Sequence, residues 1–581
     1  MRLFITDKPS TARAIADALP GPAIREEGFI RVGDDAVTWT DGPAVQLGID
    51  ESSGNTSSLK TPKLVWRTET KPQLRIVKSL LDRATVVVHA GPPSCQGQMW
   101  IDDAVRFLRH HSGASLRLLM HATDSESIKT GLSKLVPNAT FAGSASAARL
   151  ELEADWLFAW NLTPAVCKRL GIETALRLGR LEWPTLALIA QRDREVEHSA
   201  VTSYLNNELT LETEDGPISL TIYPPACELG VWDSAEVQDL DAKLCGLEFA
   251  TVKVSETVQT EPPPKPFSLA TFQAAANSRY RWSAAKSLEL ARSLYDTKNQ
   301  LVSFPLTDSR YLRPEQAADA LRIARHIVEH RPFAMLKPLL PLLAPQPAVY
   351  DAHASRRNDP SDAFERHALV PTVRPADFRR LTPDQQNAWM LIAEQFLMSL
   401  LPSHEIAVTT VSFSLDESGK GGVLEAIGEV SLNQSKSWRA LAPCTYRALP
   451  LIQDGARLRC LGHRIVEHQA RKFHFTEETL IERMSRCGEP VIGNAETRTE
   501  VIESLKRSGC VIVREGMIIS TEQGRAILEQ VSHNVTDRDV VSKWGKRIQL
   551  LSTQSVDEAA VSALKQELEE EVMAEVVFVH I

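Results

Sequence analysis

An acid followed by a base, Asp7-Lys8, closes the short apolar run Leu3-Phe4-Ile5-Thr6 and precedes Ala12, Ile15, Ala16 and Leu19 at helical spacing. By residue preference alone, Asp7 is a cap for that helix. The eight cysteines (Cys95, Cys167, Cys227, Cys245, Cys444, Cys460, Cys487, Cys510) stand at no C-x-x-C spacing, which argues against a zinc ribbon and a disulfide framework. Binding of phosphate needs clustered Lys and Arg, and a net charge of −9 speaks against it. The distribution matters more: residues 266–340 hold 11 Lys+Arg against 6 Asp+Glu, whereas residues 551–581 hold 1 Lys against 7 acids. The acidic run Glu567, Glu569, Glu570, Glu571 reads as a solvated helix face, with a tail that docks a partner or excludes polyanions as the alternative.

Several kinds of element must position these groups. Residues 1 to about 150 alternate short β-rich runs with amphipathic segments (Leu3 to Thr6, Thr85 to His89 and Leu116 to Met120, each followed by helical periodicity), which predicts a parallel or mixed α/β sheet. Leu150 to Glu197 is helical in pattern, and Tyr204 to Val258 is β-like. Pro262-Pro263-Pro264-Lys265-Pro266 then breaks regular structure as a hinge. A basic helical block follows, with Leu288, Ala291, Leu294 and Tyr295 at helical spacing, then a polar stretch from Ala352 to Arg366 and a second β-like region around Ile406 to Val430. From Phe475 onward the pattern is a small helical fold with a wing-like strand pair, Cys510 to Val513 and Met517 to Ile519. Leaving β structure, visiting a helical block and returning predicts discontinuous domains. At 581 residues the chain has length for several cores. Its N-terminus lacks the order of a secretory signal and no stretch approaches eighteen apolar residues, so a cytoplasmic protein without membrane contact is expected.

The motifs carry a resemblance. Met1 to Ser10 followed by Ala12-Arg13-Ala14-Ile15-Ala16 resembles the opening of the Toprim domain in bacterial type IA DNA topoisomerases of the topoisomerase III kind. That family has a glutamate, general acid and metal neighbour, where this chain has the shorter Asp7, beside Lys8. Its second signature, H-A-G-D-P-D-R-E-G-Q, holds magnesium through two aspartates and a glutamate. Here the similar run is His89-Ala90-Gly91-Pro92-Pro93-Ser94-Cys95-Gln96-Gly97-Gln98, with Pro92, Ser94 and Gln96 replacing all three acids. The resemblance implies magnesium; the residues imply that the site is lost and that no cofactor is held.

Leu176 to Leu186 is similar to the family's S-V-G-R-V-Q-T-P-T-L and makes Arg180 a phosphate contact, although in isolation it reads as a surface arginine. Arg177, Glu182 and Trp183 depart from that pattern, so an altered substrate groove is expected. Leu301-Val302-Ser303-Phe304-Pro305-Leu306-Thr307-Asp308-Ser309-Arg310-Tyr311-Leu312 resembles L-I-T-Y-P-R-T-D-S-R-Y-L, whose first tyrosine attacks a DNA phosphate. Phe304 stands at that nucleophile, and Leu306 at the arginine that would stabilise the transition state. Rescue by Tyr311 or Tyr280 is not expected, because catalysis tolerates displacements of only about 1 Å. Arg366 to Thr372 resembles H-H-A-I-I-P-T and puts His367 at the histidine that touches the scissile phosphate. Ser437 to Leu441 resembles G-W-R-x-L, and Gly493 to Arg498 a shifted G-x-G-T-E-A-T-R.

The resemblance implies a four-domain toroid of α/β, α and β domains. Its expected parts are a Toprim-like domain at 1–150, a helical base at 151–203 and 466–581, a β-rich arch at 204–265 and 401–465, and a winged-helix-like catalytic-type domain at 266–400. Retained Lys8, Arg180, Asp308, Ser309, Arg310, His367 and Arg498 would line a groove for single-stranded or junction DNA. The expected function is binding of DNA without cleavage, alongside a protein partner in DNA processing. The alternatives are an active enzyme with rearranged chemistry, and an interaction scaffold that has lost DNA binding.

Overall fold

The computed structural model describes residues 1–49, 59–108, 114–172, 176–198, 202–222, 234–296, 298–350, 366–415, 423–470, 472–486, 491–552 and 558–580. Cys227, Cys487 and most of the polar stretch from Ala352 lie outside them.

The first sheet has the order β2 (Ala23–Glu26), β3 (Phe29–Val32), β4 (Asp35–Trp39), β1 (Arg2–Thr6), β7 (Val86–His89), β8 (Ala114–Arg117), β9 (Val136–Pro137); β5 (Val45–Ile49) and β6 (Pro62–Trp66) pair separately. β1 runs parallel to β4 and β7, and β7 parallel to β8, while the two edges are antiparallel. The apolar run of β1 follows from this central place. Phe4 points into a cluster with Ala12 and Ile15 of the helix Pro9–Ala18. Leu3 and Ile5 point the other way, against Val77, Leu80 and Ile101 of the helices Lys71–Leu81 and Cys95–Phe107. A strand covered on both faces has no polar side to alternate.

The second sheet has the order β12 (Phe249–Thr251), β16 (Arg457–Ala470), β10 (Thr202–Thr213), β11 (Gly216–Ile222), β15 (Val423–Ser431), β14 (His404–Ser414), β13 (Lys253–Glu261). Every pair in it is antiparallel, and β16 sits between β12 and β10. The two β-like regions of the sequence therefore make one sheet around Leu209, Leu220, Val411 and Leu424.

Between β13 and β14 the chain forms a block of helices, Leu269–Tyr280, Ala284–Tyr295, Ala317–Val328 and Pro383–Met398, started by side-chain caps from Ser268, Ser283 and Thr382 except in the third. Their core includes Phe272, Leu294, Ile327, Trp389 and Phe396. Among the described residues this block has two isolated bridges, Phe267 with Leu369 and Val302 with Pro371, and no strand.

The terminal bundle joins Ala142–Leu157, Thr163–Leu170 and Glu182–His198 to elements more than 275 positions later, β17 (Phe475–Thr476), β18 (Val511–Arg514), β19 (Met517–Ser520) and the helices up to Glu558–His580. β18 and β19 turn through Glu515 and Gly516, both at positive φ (50° and 80°), the backbone of a tight hairpin. One core holds Trp183, Leu186, Leu480, Ile502, Ile518, Val572 and Val579. Fully buried Asp193 binds the halves together, accepting from the Ser520 amide (2.7 Å), the Ser520 hydroxyl (2.6 Å) and His474 (2.6 Å).

The four units form a cycle. The chain leads from the first sheet into the bundle, crosses twice between bundle and second sheet, and twice between second sheet and helical block. The last junction, helical block to first sheet, is noncovalent: the Phe304 amide donates to His121 O (2.8 Å), the Thr123 hydroxyl to Tyr295 O (2.8 Å) and the Gln300 amide to Thr123 O (2.6 Å).

Candidate functional site

That noncovalent junction is where the chemically distinctive residues collect. Asp7 follows β1, and its carboxylate accepts from the hydroxyls of Thr6 (3.0 Å) and Thr11 (3.4 Å). It is not the helix cap; Lys8 holds the cap position, without a side-chain cap bond. Burial pushes the Asp7 carboxyl above its ordinary range, against the pull of Lys8. Lys8 reaches across the junction to Asp296 (3.1 Å), both side chains about 40% exposed. Asp296 directly follows the helix that ends in Tyr295.

The loop after β7 is built as a tight turn. A Cβ on Gly97 would lie 2.5 Å from Pro92 O, so a side chain there would break the turn. Ser94 spends its hydroxyl oxygen on the Gly97 amide (3.0 Å), capping the helix Cys95–Phe107. Beneath the loop lies Arg117, fully buried at the end of β8. Its guanidinium donates to the carbonyls of His89 (3.2 Å), Gly91 (2.9 Å), Leu118 (2.8 Å) and Pro92 (2.8 Å). Burial pulls it down to about 9, opposed by the fields of Asp102, Tyr295 and Asp7. Among the described residues no three His, Cys, Asp or Glu side chains group as a metal site. Pro92 offers no side-chain oxygen, Ser94 is occupied, and a built-in cation already binds the loop. This donor set does not fit a divalent ion.

Phe304 is 7% exposed and meets the Tyr295 ring edge-on, centroids 5.4 Å apart at 77°. The Tyr295 hydroxyl faces Met120 O at 3.5 Å, and burial with Asp7 and Asp296 nearby raises its pKa well above the ordinary value. Leu306 packs on the core of the helical block. Its carbonyl accepts from Arg366 (3.0 Å), which pairs with Glu496 (2.7 Å). His367 accepts at Nε2 from Gln316 (3.0 Å) and donates from Nδ1 to Ala368 O (2.8 Å); burial lowers it to about 4. His121, 5.6 Å away ring to ring, receives a bond from Arg313 (2.9 Å), and burial likewise holds it neutral.

The other retained residues are bonded within the protein. Asp308 pairs with Arg498 (2.6 Å) and accepts from the Ala495 amide (3.1 Å). Arg498 is 4% exposed and also donates to Ile492 O and Gly493 O. Arg310 donates to Pro266 O (3.1 Å) and Lys265 O (3.0 Å), fixing the proline hinge. The Ser309 hydroxyl accepts from the Tyr311 amide (3.2 Å), and Tyr311 receives a bond from Lys265 (2.5 Å). Tyr280 stacks on Trp282. Arg180 is 4% exposed, 3.7 Å from Asp155, with Nε and Nη1 lacking a hydrogen bond among the described residues. Around it are carboxyls that burial pushes up, Glu151 and Glu182 to about 7.

Sequence reasoning missed Arg117, Tyr295, His121 and the acids around Arg180. Arg117 left no charge-cluster signal, since its partners are backbone carbonyls. Tyr295 carried a helical-spacing signal that read as core.

A family profile described as DNA topoisomerase matches residues 142–563. The DNA topoisomerase 3 of Vibrio cholerae is 29% identical, covering 95% of this chain and 90% of that one. That of Salmonella typhimurium is 26% identical over 94% of this chain and 88% of its own. The full-length topoisomerase I of Thermotoga maritima superposes with a TM-score of 0.73 at 16% identity, covering 98% of this chain and 90% of that one, which carries the fold: a multidomain toroid. Motifs, fold and family match agree, and the chain belongs to the bacterial type IA DNA topoisomerases, of the topoisomerase III kind.

Proposed function

We propose that this chain binds single-stranded or junction DNA without cutting it, in the cytoplasm and beside a protein partner. The observation that carries the reading is Phe304, which brings no oxygen to the junction of helical block and first sheet. The surroundings support it. Tyr295, the tyrosine packed on Phe304, is held protonated by burial and by Asp7 and Asp296. Arg117 is fixed to the loop carbonyls where the family's acids would gather a metal ion. No described helix is long and apolar enough to cross a membrane.

The test is purified protein with magnesium and negatively supercoiled plasmid: no relaxation and no covalent DNA adduct are expected. Relaxation that co-purifies with the chain and disappears on its removal overturns the reading.

A second reading, an interaction scaffold without DNA binding, is favoured by the burial of Arg180 and the internal hydrogen bonds of Arg310 and Arg498. An electrophoretic shift titration separates the two. Binding that weakens with salt at a log-log slope of roughly −0.7 per neutralised phosphate supports the first, and no shift at low salt supports the second.

A further inference from the structure

Away from the junction, the helix Ala142–Leu157 passes into a π-turn, Phe158–Leu162, that carries Trp160 at the edge of the bundle core. Trp156 and Trp160 stack, centroids 5.6 Å apart and planes 22° from parallel. The Arg177 guanidinium lies over the Trp160 ring at 4.5 Å, and the Lys60 ammonium at 5.9 Å. Trp156 is buried, Trp160 half-buried, Arg177 and Lys60 exposed. The segment bearing Lys60 is clamped to the turn by two bonds, its amide to Asn161 Oδ1 (2.7 Å) and Asn161 Nδ2 to its carbonyl (3.1 Å). A third holds the clamp, Asn161 Nδ2 to Leu157 O (3.0 Å).

Two features set this apart from an ordinary surface cation. Neither Arg177 nor Lys60 has a carboxylate partner among the described residues, in a chain whose acids outnumber its bases by nine. Furthermore, Trp156 and Arg177 both lie against the Trp160 ring, and exposure rises from buried Trp156 through half-buried Trp160 to exposed Arg177, whose Nη1 is anchored on Leu176 O. Guanidinium planes and indoles are the surfaces on which unpaired bases stack, and a nearby ammonium suits the phosphate between them.

We propose that Trp156, Trp160 and Arg177 form a stacking platform for an unpaired base of a nucleic-acid strand, with Lys60 taking the adjoining phosphate. This rests on the reading of the chain as a single-strand binder and names the chemistry of recognition. Double-stranded DNA, whose bases are already stacked, does not use the platform.

The experiment measures binding of the full chain to a thymine oligonucleotide and to an abasic strand of equal length. Arg177→Ala should weaken binding to the thymine strand roughly ten-fold and leave the abasic strand within about two-fold, as expected for one lost stacking contact. Arg177→Lys keeps the charge and removes the plane, so it should behave like Arg177→Ala on the base-bearing strand. Being exposed, Arg177 can be changed without threat to folding; Trp160→Leu, which keeps apolar volume, is the second variant, with the same expected loss. If Arg177→Lys matches wild type, or Arg177→Ala weakens both strands equally, Arg177 is a plain phosphate contact and the platform is wrong. If wild type binds neither strand, the single-strand reading itself fails.

Discussion

Replacing Phe304 by Tyr is the most direct question at the scale of the residue. On the proposed reading the restored hydroxyl would stand beside an apolar Leu306, with Pro92, Ser94 and Gln96 where the family carries its acids, so Phe304→Tyr should form no covalent DNA adduct in a magnesium-containing trapping assay. Adduct formation by this single substitution would overturn the reading. A second residue-scale expectation concerns pH. Glu151 and Glu182 have folded-state pKa values of about 7, above the ordinary 4.5, because burial penalises their charged forms. The folded state therefore binds protons more tightly than the unfolded chain. Their contribution to stability is fully present below about pH 4.5 and is lost as pH rises through 7. Glu151→Gln should raise the melting temperature relative to wild type above pH 7, with the gap closing toward pH 5. A gap that widens on acidification would contradict the assignment.

At the scale of the element, the turn between β7 and its helix shows which residues the backbone itself requires. A Cβ on Gly91 would lie 2.8 Å from Gly97 O and one on Gly97 2.5 Å from Pro92 O, so the turn needs glycine at both positions. Ser94 caps the helix through the Gly97 amide. Ser94→Ala should destabilise the start of the helix Cys95–Phe107 by about 1 kcal/mol, read as faster hydrogen exchange at the Gly97 amide, whereas Ser94→Asp should exchange like wild type, since Asp caps equally well. Equal exchange in wild type and Ser94→Ala would show the cap to be idle. Elements of this kind were legible from local pattern: the apolar run of β1, the strand pair Val511–Arg514 and Met517–Ser520, and the break in regular structure at Pro262–Pro266 all follow from residues within a few positions. What local pattern did not hold was partnership at a distance. Asp7 looked like a cap because Asp prefers that place, yet the backbone puts Lys8 there. Arg180 looked available because nothing within a few residues covers it, while in the fold it lines a small cavity shared with Val541 and Trp544, some 360 positions on.

At the scale of the molecule, the contacts that close the cycle differ in kind. Lys8 with Asp296 is half exposed and salt-screened, worth roughly 0.2–1 kcal/mol, while the bonds from Phe304, Thr123 and Gln300 involve backbone carbonyls that salt does not screen. Raising salt to about 1 M should therefore leave the junction closed, and Lys8→Ala should not change its protection from limited proteolysis. Asp308→Ala is the contrasting case. It strands Arg498, whose side chain is 5% exposed, without its carboxylate, and should cost more than Lys8→Ala does, seen as a larger drop in melting temperature. Equal drops would mean that Arg498 finds other acceptors at no cost.

The bundle core has a consequence for how the protein is made. Trp183 and Leu186 pack with Leu480, Ile518 and Val579, so the first three bundle helices leave the ribosome without the surface they must bury. At synthesis rates of about 5–20 residues per second, the wait from residue 198 to residue 579 lasts roughly 20–75 seconds. Throughout it the first sheet can fold unaided, but the helices Ala142–Leu157 and Glu182–His198 hold an exposed apolar face in an unfinished chain. A nascent chain of this protein thus carries that apolar face until its last elements emerge, and the time it does so is set by the translation of residues 199–579.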